Sequence, residues 1–217
     1  MTSDLSKIVV RLLAWWEKNK RNFPWRSTKD PYRILVAEIL LRKTDAPKVL
    51  AIYEDFFKKY PSIKELAEAS EVGLAEFLKP LGLYRVRAKQ LKNIAKEISE
   101  KYKGIIPQDP ESLKKLKGIG SYIANAVACF AHGKTVPVVD TNVARVISRV
   151  FGIKPKARPH LDKRIWRVAD ELVKLGDARK INLAIIDLAT LVCTARQPNC
   201  KICPLKEHCA YAKGWRP

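Results

Sequence analysis

The sequence predicts an almost entirely α-helical protein, on three observations. No segment of the 217 residues sustains the period-two alternation of apolar and polar side chains that a half-buried strand requires. Apolar residues recur instead at spacings of three and four in segment after segment, the period of a helix face. Those segments are punctuated by helix-start dipeptides, Asp30-Pro31 and Asp109-Pro110 among them, and by glycine turns at Gly82, Gly118 and Gly133.

Lysine and arginine outnumber acids by 42 to 22, a net charge of +20. Such a balance points to a polyanionic partner, nucleic acid first, because net charge governs association and says little about fold. No apolar run approaches the roughly 20 residues of a membrane span, and Met1-Thr2-Ser3-Asp4 lacks the basic-then-apolar layout of a secretory leader. A cytoplasmic location is therefore expected. Glutamine is confined to positions 90, 108 and 197 and methionine to position 1, a thermophile-like balance. The length suits one large domain or two small lobes with a core of their own.

The first helix carries Ile8, Leu12, Trp15 and Trp16 at helical spacing and ends in the basic run Lys18 to Arg21, before the connector Asn22-Phe23-Pro24-Trp25-Arg26. Asp30-Pro31 then opens a helix expected to run through YRILVAEILLRKT. Its apolar stripe of Ile34, Leu35 and Leu41 contains Glu38. A carboxylate among apolar neighbours is unfavourable unless paired, and burial raises its pKa toward the range of proton transfer. Arg42, at i+4, offers the alternative of a simple salt bridge. Asp45-Ala46-Pro47 begins the next helix, with Val49, Leu50, Tyr53, Phe56 and Phe57 on its apolar side, and two short helices follow near 62–69 and 71–79. The glycine turn Leu81-Gly82-Leu83-Tyr84-Arg85 leads into a long amphipathic helix, Val86 to Lys101, that buries Leu91, Ile94, Ala95 and Ile98. Leu83 and Tyr84 at its tip are either a wedge for a duplex or packing beneath the turn.

The short helix after Asp109-Pro110 feeds a second turn, Lys117-Gly118-Ile119-Gly120-Ser121, and a second helix, Ser121 to Ala131, on which Cys129 reads as a buried apolar residue. A Gly-x-Gly turn at a helix start is either a tight αα-hairpin or a cradle whose N–H groups hold an anion, a phosphate in so basic a chain. A proline-broken connector then delivers Asp140 to the head of the helix Asp140 to Phe151, and helices over 159–175 and 178–192 complete the chain.

The tail reads Cys193-x6-Cys200-x2-Cys203-x5-Cys209, turned by Pro198 and Pro204. In a chain without an export leader these thiols read as metal ligands before disulfides. Four thiolates within 17 residues suit an iron–sulfur cubane or a zinc ion. Zinc ribbons usually show two CxxC knuckles where this tail has one, yet on spacing both remain open. Lys201, Lys206, His208 and Lys213 would form a phosphate-facing patch around such a centre.

With LKGIGSYIANAV, Val139-Asp140-Thr141-Asn142 and the cysteine tail in this order, nearly the whole chain resembles the helix-hairpin-helix DNA glycosylases of the endonuclease III superfamily. The resemblance implies two helical lobes flanking a DNA-binding cleft: a six-helix barrel over 27–136, and a cluster lobe of 1–26 with 137–217 that ends in a [4Fe-4S] loop on Cys193, Cys200, Cys203 and Cys209. It implies that residues 117 to 121 grip a backbone phosphate, and that Asp140 stabilises the positive charge that develops on a flipped-out sugar. Glu38 corresponds to the acid that protonates or hydrogen-bonds the departing base in adenine-removing relatives. Bifunctional members carry a lysine nucleophile where this chain has Tyr122, so a monofunctional enzyme is expected.

The segment from Asn22-Phe23-Pro24-Trp25-Arg26 through Thr44 is similar to archaeal glycosylases that remove T or U opposite G. Adenine glycosylases, the alternative, typically have glutamines at Arg42 and Lys43 and a further C-terminal domain, whereas this sequence ends eight residues after Cys209. A non-catalytic DNA-binding protein is the third reading. Arg42 would meet the orphan guanine, a bidentate contact worth about 1–3 kcal/mol of discrimination. The expected partner is mismatched double-stranded DNA, bound by a monomer in a prokaryotic, archaeal cytoplasm.

Overall fold

The computed structural model describes the backbone of residues 2–216 and the side chains of residues 4–216. In chain order the helices are α1 (Thr2–Asn19), α2 (Pro24–Ser27), α3 (Pro31–Leu40), α4 (Ala46–Lys59), α5 (Ile63–Glu68), α6 (Glu71–Phe77), α7 (Tyr84–Tyr102), α8 (Pro110–Lys114), α9 (Ser121–Phe130), α10 (Thr141–Phe151), α11 (Lys163–Val173) and α12 (Ala178–Leu191). Short 3₁₀ turns follow α6, precede α11 and lie in the cysteine tail. Among the described residues there is no strand, as the absence of alternation predicts, and no helix long and apolar enough to cross a membrane. The chain forms two compact units, Asn22–His132 and Met1–Arg21 with Gly133–Pro217.

In the unit Asn22–His132, α3 is the central element: every residue from Ile34 to Leu40 is buried, and α3 packs on the equally buried α9. The Asp30 carboxylate caps α3 by accepting the Tyr32 N–H at 2.8 Å, and proline at the first helical position supplies the preset φ. An aromatic cluster closes one side, with Tyr53 4.8 Å from Phe57 and 5.4 Å from Trp25, centroid to centroid, and the Arg33 guanidinium 4.9 Å above Phe57. Helices α5 and α6 lie on α7, capped by Ser62 and Ser70.

Three expectations need correction here. The connector expected over residues 22–26 contains a helical turn, α2, opened by Pro24 at its first position. Helix α3 stops at Leu40, short of Thr44, because residues 41–44 turn through Lys43 in the left-handed region (φ 55°). Leu50 lies on the outer side of α4, 45 % exposed, while Val49, Tyr53, Phe56 and Phe57 face inward.

The second unit is built on α12, against which α1 and α10 pack, with α11 completing the core. Asp187, fully buried on α12, accepts from the Trp16 indole at 2.9 Å and the Arg21 guanidinium at 2.6 Å, fixing α1 and its basic end. The single helix expected over 159–175 is instead a 3₁₀ turn, Pro159–Leu161, and then α11, because the buried Asp162 takes the cap position and accepts the Arg164 N–H.

Candidate active site

The turn between α8 and α9 is set by α7 beneath it. Gln90 donates to the Gly118 carbonyl at 3.1 Å, and Glu97 accepts the Lys117 N–H at 3.0 Å. Its hydrogen bonds from Lys101 and then Lys117 hold the Glu97 carboxyl below the usual carboxylate range. Gly118 has φ 93°, a backbone that other residues rarely adopt, and a Cβ there would stand 3.0 Å from Gln90 Nε2, so any other residue is strained at this approach. Ile119 is buried under the turn, whereas Lys117, Gly118, Gly120 and Ser121 are exposed. Gly120 occupies the cap position of α9 with no side-chain cap, which leaves the first-turn N–H groups of α9 directed at the surface beside Lys117. Tyr122, half-buried, sits in that first turn.

On the neighbouring helix α3, Glu38 is buried, 6 % exposed. Arg42 lies beyond the end of α3 and is exposed, so no continuous helix holds it at i+4 to Glu38. Leu83 is 57 % exposed in a left-handed conformation (φ 50°), and Tyr84 behind it is half-buried with the Arg85 guanidinium 5.8 Å above its ring.

Asp140 belongs to the other unit. The connector that delivers it is held in an extended path by Asn182 of α12, whose amide accepts the Val138 N–H at 2.9 Å and donates to the Val136 carbonyl at 3.0 Å. Asp140 then caps α10: Oδ1 accepts the Val143 N–H at 2.7 Å, and Oδ2 accepts from Asn142 Nδ2 at 2.9 Å. The half-buried carboxylate is thus fixed at both oxygens. Asn142 is in turn gripped by Arg145, which donates to Asn142 Oδ1 at 2.9 Å, to the Cys193 carbonyl at 3.0 Å and to the Ala189 carbonyl at 3.0 Å. One turn on, Arg149 donates to the Thr194 and Ala195 carbonyls and stacks on Tyr211. Both arginines tie α10 to the start of the cysteine loop. Spacing along α10 places them on one face, but nothing local to them tells which carbonyls they meet.

The four tail cysteines carry no disulfide; Cys209 is buried and the others are half-buried. Burial pushes the Cys203 thiol up to about 11, with the charges of Cys193, Cys209 and Cys200 adding to the shift. Cys209 is raised for the same reason. Among the described residues no group of three or more His, Cys, Asp or Glu side chains stands in metal-holding geometry.

A family model, the HhH-GPD superfamily base excision DNA repair protein, matches residues 36–171. The chain belongs to the HhH-GPD superfamily. The match spans the hairpin, Glu38, Tyr122 and Asp140. Among members of the superfamily, the chain is 43 % identical to a thymine-DNA glycosylase of Aeropyrum pernix over 93 % of this chain and 92 % of that one. It is 42 % identical to a thymine/uracil-DNA glycosylase of Pyrobaculum aerophilum over 93 % and 90 %. An adenine DNA glycosylase of Mycobacterium tuberculosis is 39 % identical over 96 % of this chain and 68 % of its own length. The solved structure of a thermostable thymine-DNA glycosylase superposes with a TM-score of 0.92 at 36 % identity, covering 97 % of each chain.

Proposed function

We propose that the protein is a monofunctional DNA glycosylase that excises thymine or uracil opposite guanine and leaves an abasic site. The observation that carries this reading is Asp140: a carboxylate locked at the head of α10 by two hydrogen bonds, in a chain alike over its length to thymine/uracil glycosylases. A stacked nucleotide offers no access to its glycosidic bond, so it is turned out of the duplex first. The C1′–N bond then breaks with its electron pair leaving on the base, and the sugar becomes cationic. A preorganised anion stabilises that charge without reorganising. Water, oriented by Asp140, adds its oxygen to C1′ and releases its proton to the surrounding solvent, and Glu38 protonates or hydrogen-bonds the departing base.

Tyr122 supports the monofunctional assignment, because a phenol cannot condense with the opened sugar to an imine as a lysine amine does. Residues 117–121 and the first turn of α9 would hold a backbone phosphate, and Arg42 and Leu83 would enter the duplex, in a complex with one copy of the chain. Cys193, Cys200, Cys203 and Cys209 are the residues that would hold a [4Fe-4S] cluster, which supplies a structural clasp for the tail. The visible absorption of an iron–sulfur chromophore in anaerobically purified protein supports this, and a colourless protein containing zinc overturns it.

Adenine excision is the alternative, favoured by the likeness to adenine glycosylases and by Glu38. Duplexes carrying G:T, G:U and G:A, incubated with the protein and then treated with hot alkali, separate the readings. Breakage of the T or U strand is expected; breakage of the A strand alone, or of none, contradicts the proposal.

A further inference from the structure

Beneath the two tips that carry Arg42 and Leu83 lies Arg87, 4 % exposed on the first turn of α7. Its Nη2 donates both to the Arg42 carbonyl and to the Thr44 hydroxyl, and that hydroxyl donates to the Leu81 carbonyl at 3.4 Å. One guanidinium therefore joins 41–44 to 81–84. Both segments need a brace, because Lys43, Gly82 and Leu83 all occupy the left-handed region (φ 55°, 70° and 50°), which lysine and leucine rarely adopt. Nothing about Arg87 suits it to ordinary core packing. Its Nη1 is buried without an acceptor, and burial and the charge of Arg42 both disfavour its cationic form. A cation buried beside another cation is unfavourable for the free protein, and an apolar side chain of similar length would pack there more easily.

We propose that Arg87 is a positioning residue for duplex opening, fixing Arg42 and Leu83 as one rigid edge so that they enter the helix together. The proposal rests on the assignment of those two side chains to the opened base pair. Arg87 touches neither base nor sugar; it holds the backbone from which the two tips project. Loosening the brace should slow opening and spare the electrostatic grip on the backbone, which depends on the hairpin and the protein's net charge.

The test is stopped-flow fluorescence of 2-aminopurine placed beside a G:T pair, read in an Asp140→Asn background so that no excision intervenes. Arg87→Met is expected to slow the fluorescence rise about tenfold, to leave affinity for a fully paired duplex unchanged, and to leave thermal stability equal to the parent or higher. A purely structural role predicts the reverse, lower stability with opening unaffected. Thr44→Val cuts the same bridge from its other side and is expected to slow opening about threefold, which keeps the test valid should Arg87→Met fail to fold. Leu83→Ala separates the two levels of inference. If Leu83→Ala slows opening while Arg87→Met and Thr44→Val do not, the bracing role is wrong and the edge stands. If Leu83→Ala also opens at the parent rate, the assignment of the edge itself fails.

Discussion

Asp140 caps α10, and the charge role proposed for it separates from that cap under mutation. As a cap its oxygen satisfies an orphan N–H of α10; as a charge it would face the sugar. Asparagine caps a helix about as well as aspartate, so Asp140→Asn should change stability by less than about 0.5 kcal/mol, whereas Asp140→Ala should lose about 1 kcal/mol. Thermal denaturation checks both. Tyr122 invites the opposite experiment: Tyr122→Lys places an amine at the first turn of α9, and borohydride should trap a covalent adduct with this variant and none with the parent. At this scale the sequence singles out Asp140 and the cysteines as candidates because a lone acid after a proline-broken connector and four crowded thiols are local patterns. Asn182, Arg87 and Asp187 are not legible in that way. Their partners are 44–46, 43–45 and 166–171 positions distant, so only the folded chain makes polar side chains on apolar faces intelligible.

Among the elements, the hairpin turn shows how one glycine differs from another. Gly118→Ala must adopt a left-handed backbone against Gln90 and should destabilise the protein by about 1–2 kcal/mol while weakening duplex binding. Gly120→Ala meets nothing within 4 Å and has φ −94°, so its folding stability should move by less than about 0.5 kcal/mol. Denaturant unfolding of the pair tests the contrast. Helix positions were mostly legible, since Asp30, Ser62, Ser70, Asp109 and Asp177 all cap the helices they precede. The failures fell at ends. Residues 41–44 keep a helical composition, yet the Arg87 bridge draws them into a turn, and Asp162 breaks the segment 159–175 because a buried cap there outweighs continuity.

For the whole molecule, alkali should act on the buried phenols of one unit. In the unit Asn22–His132, burial pushes the Tyr53 phenol up to about 12 and raises Tyr32 and Tyr60 as well. A phenol whose folded pKa exceeds its unfolded value near 10 stabilises fully below that pH and loses its contribution as pH rises through about 12. Stability should therefore fall between about pH 10 and 12, and Tyr53→Phe should reduce the fall in equilibrium unfolding. The all-helical class and the basic surface follow from composition and period alone, whereas the two arginine ties from α10 to the cysteine loop emerge only from the fold. The central claim is that a fixed carboxylate at position 140 drives excision opposite guanine. Single-turnover excision from a G:U duplex by Asp140→Asn and the parent protein tests it most directly. A loss of about 10²–10³-fold with unchanged duplex affinity is predicted, and parent-level excision by the variant would contradict it.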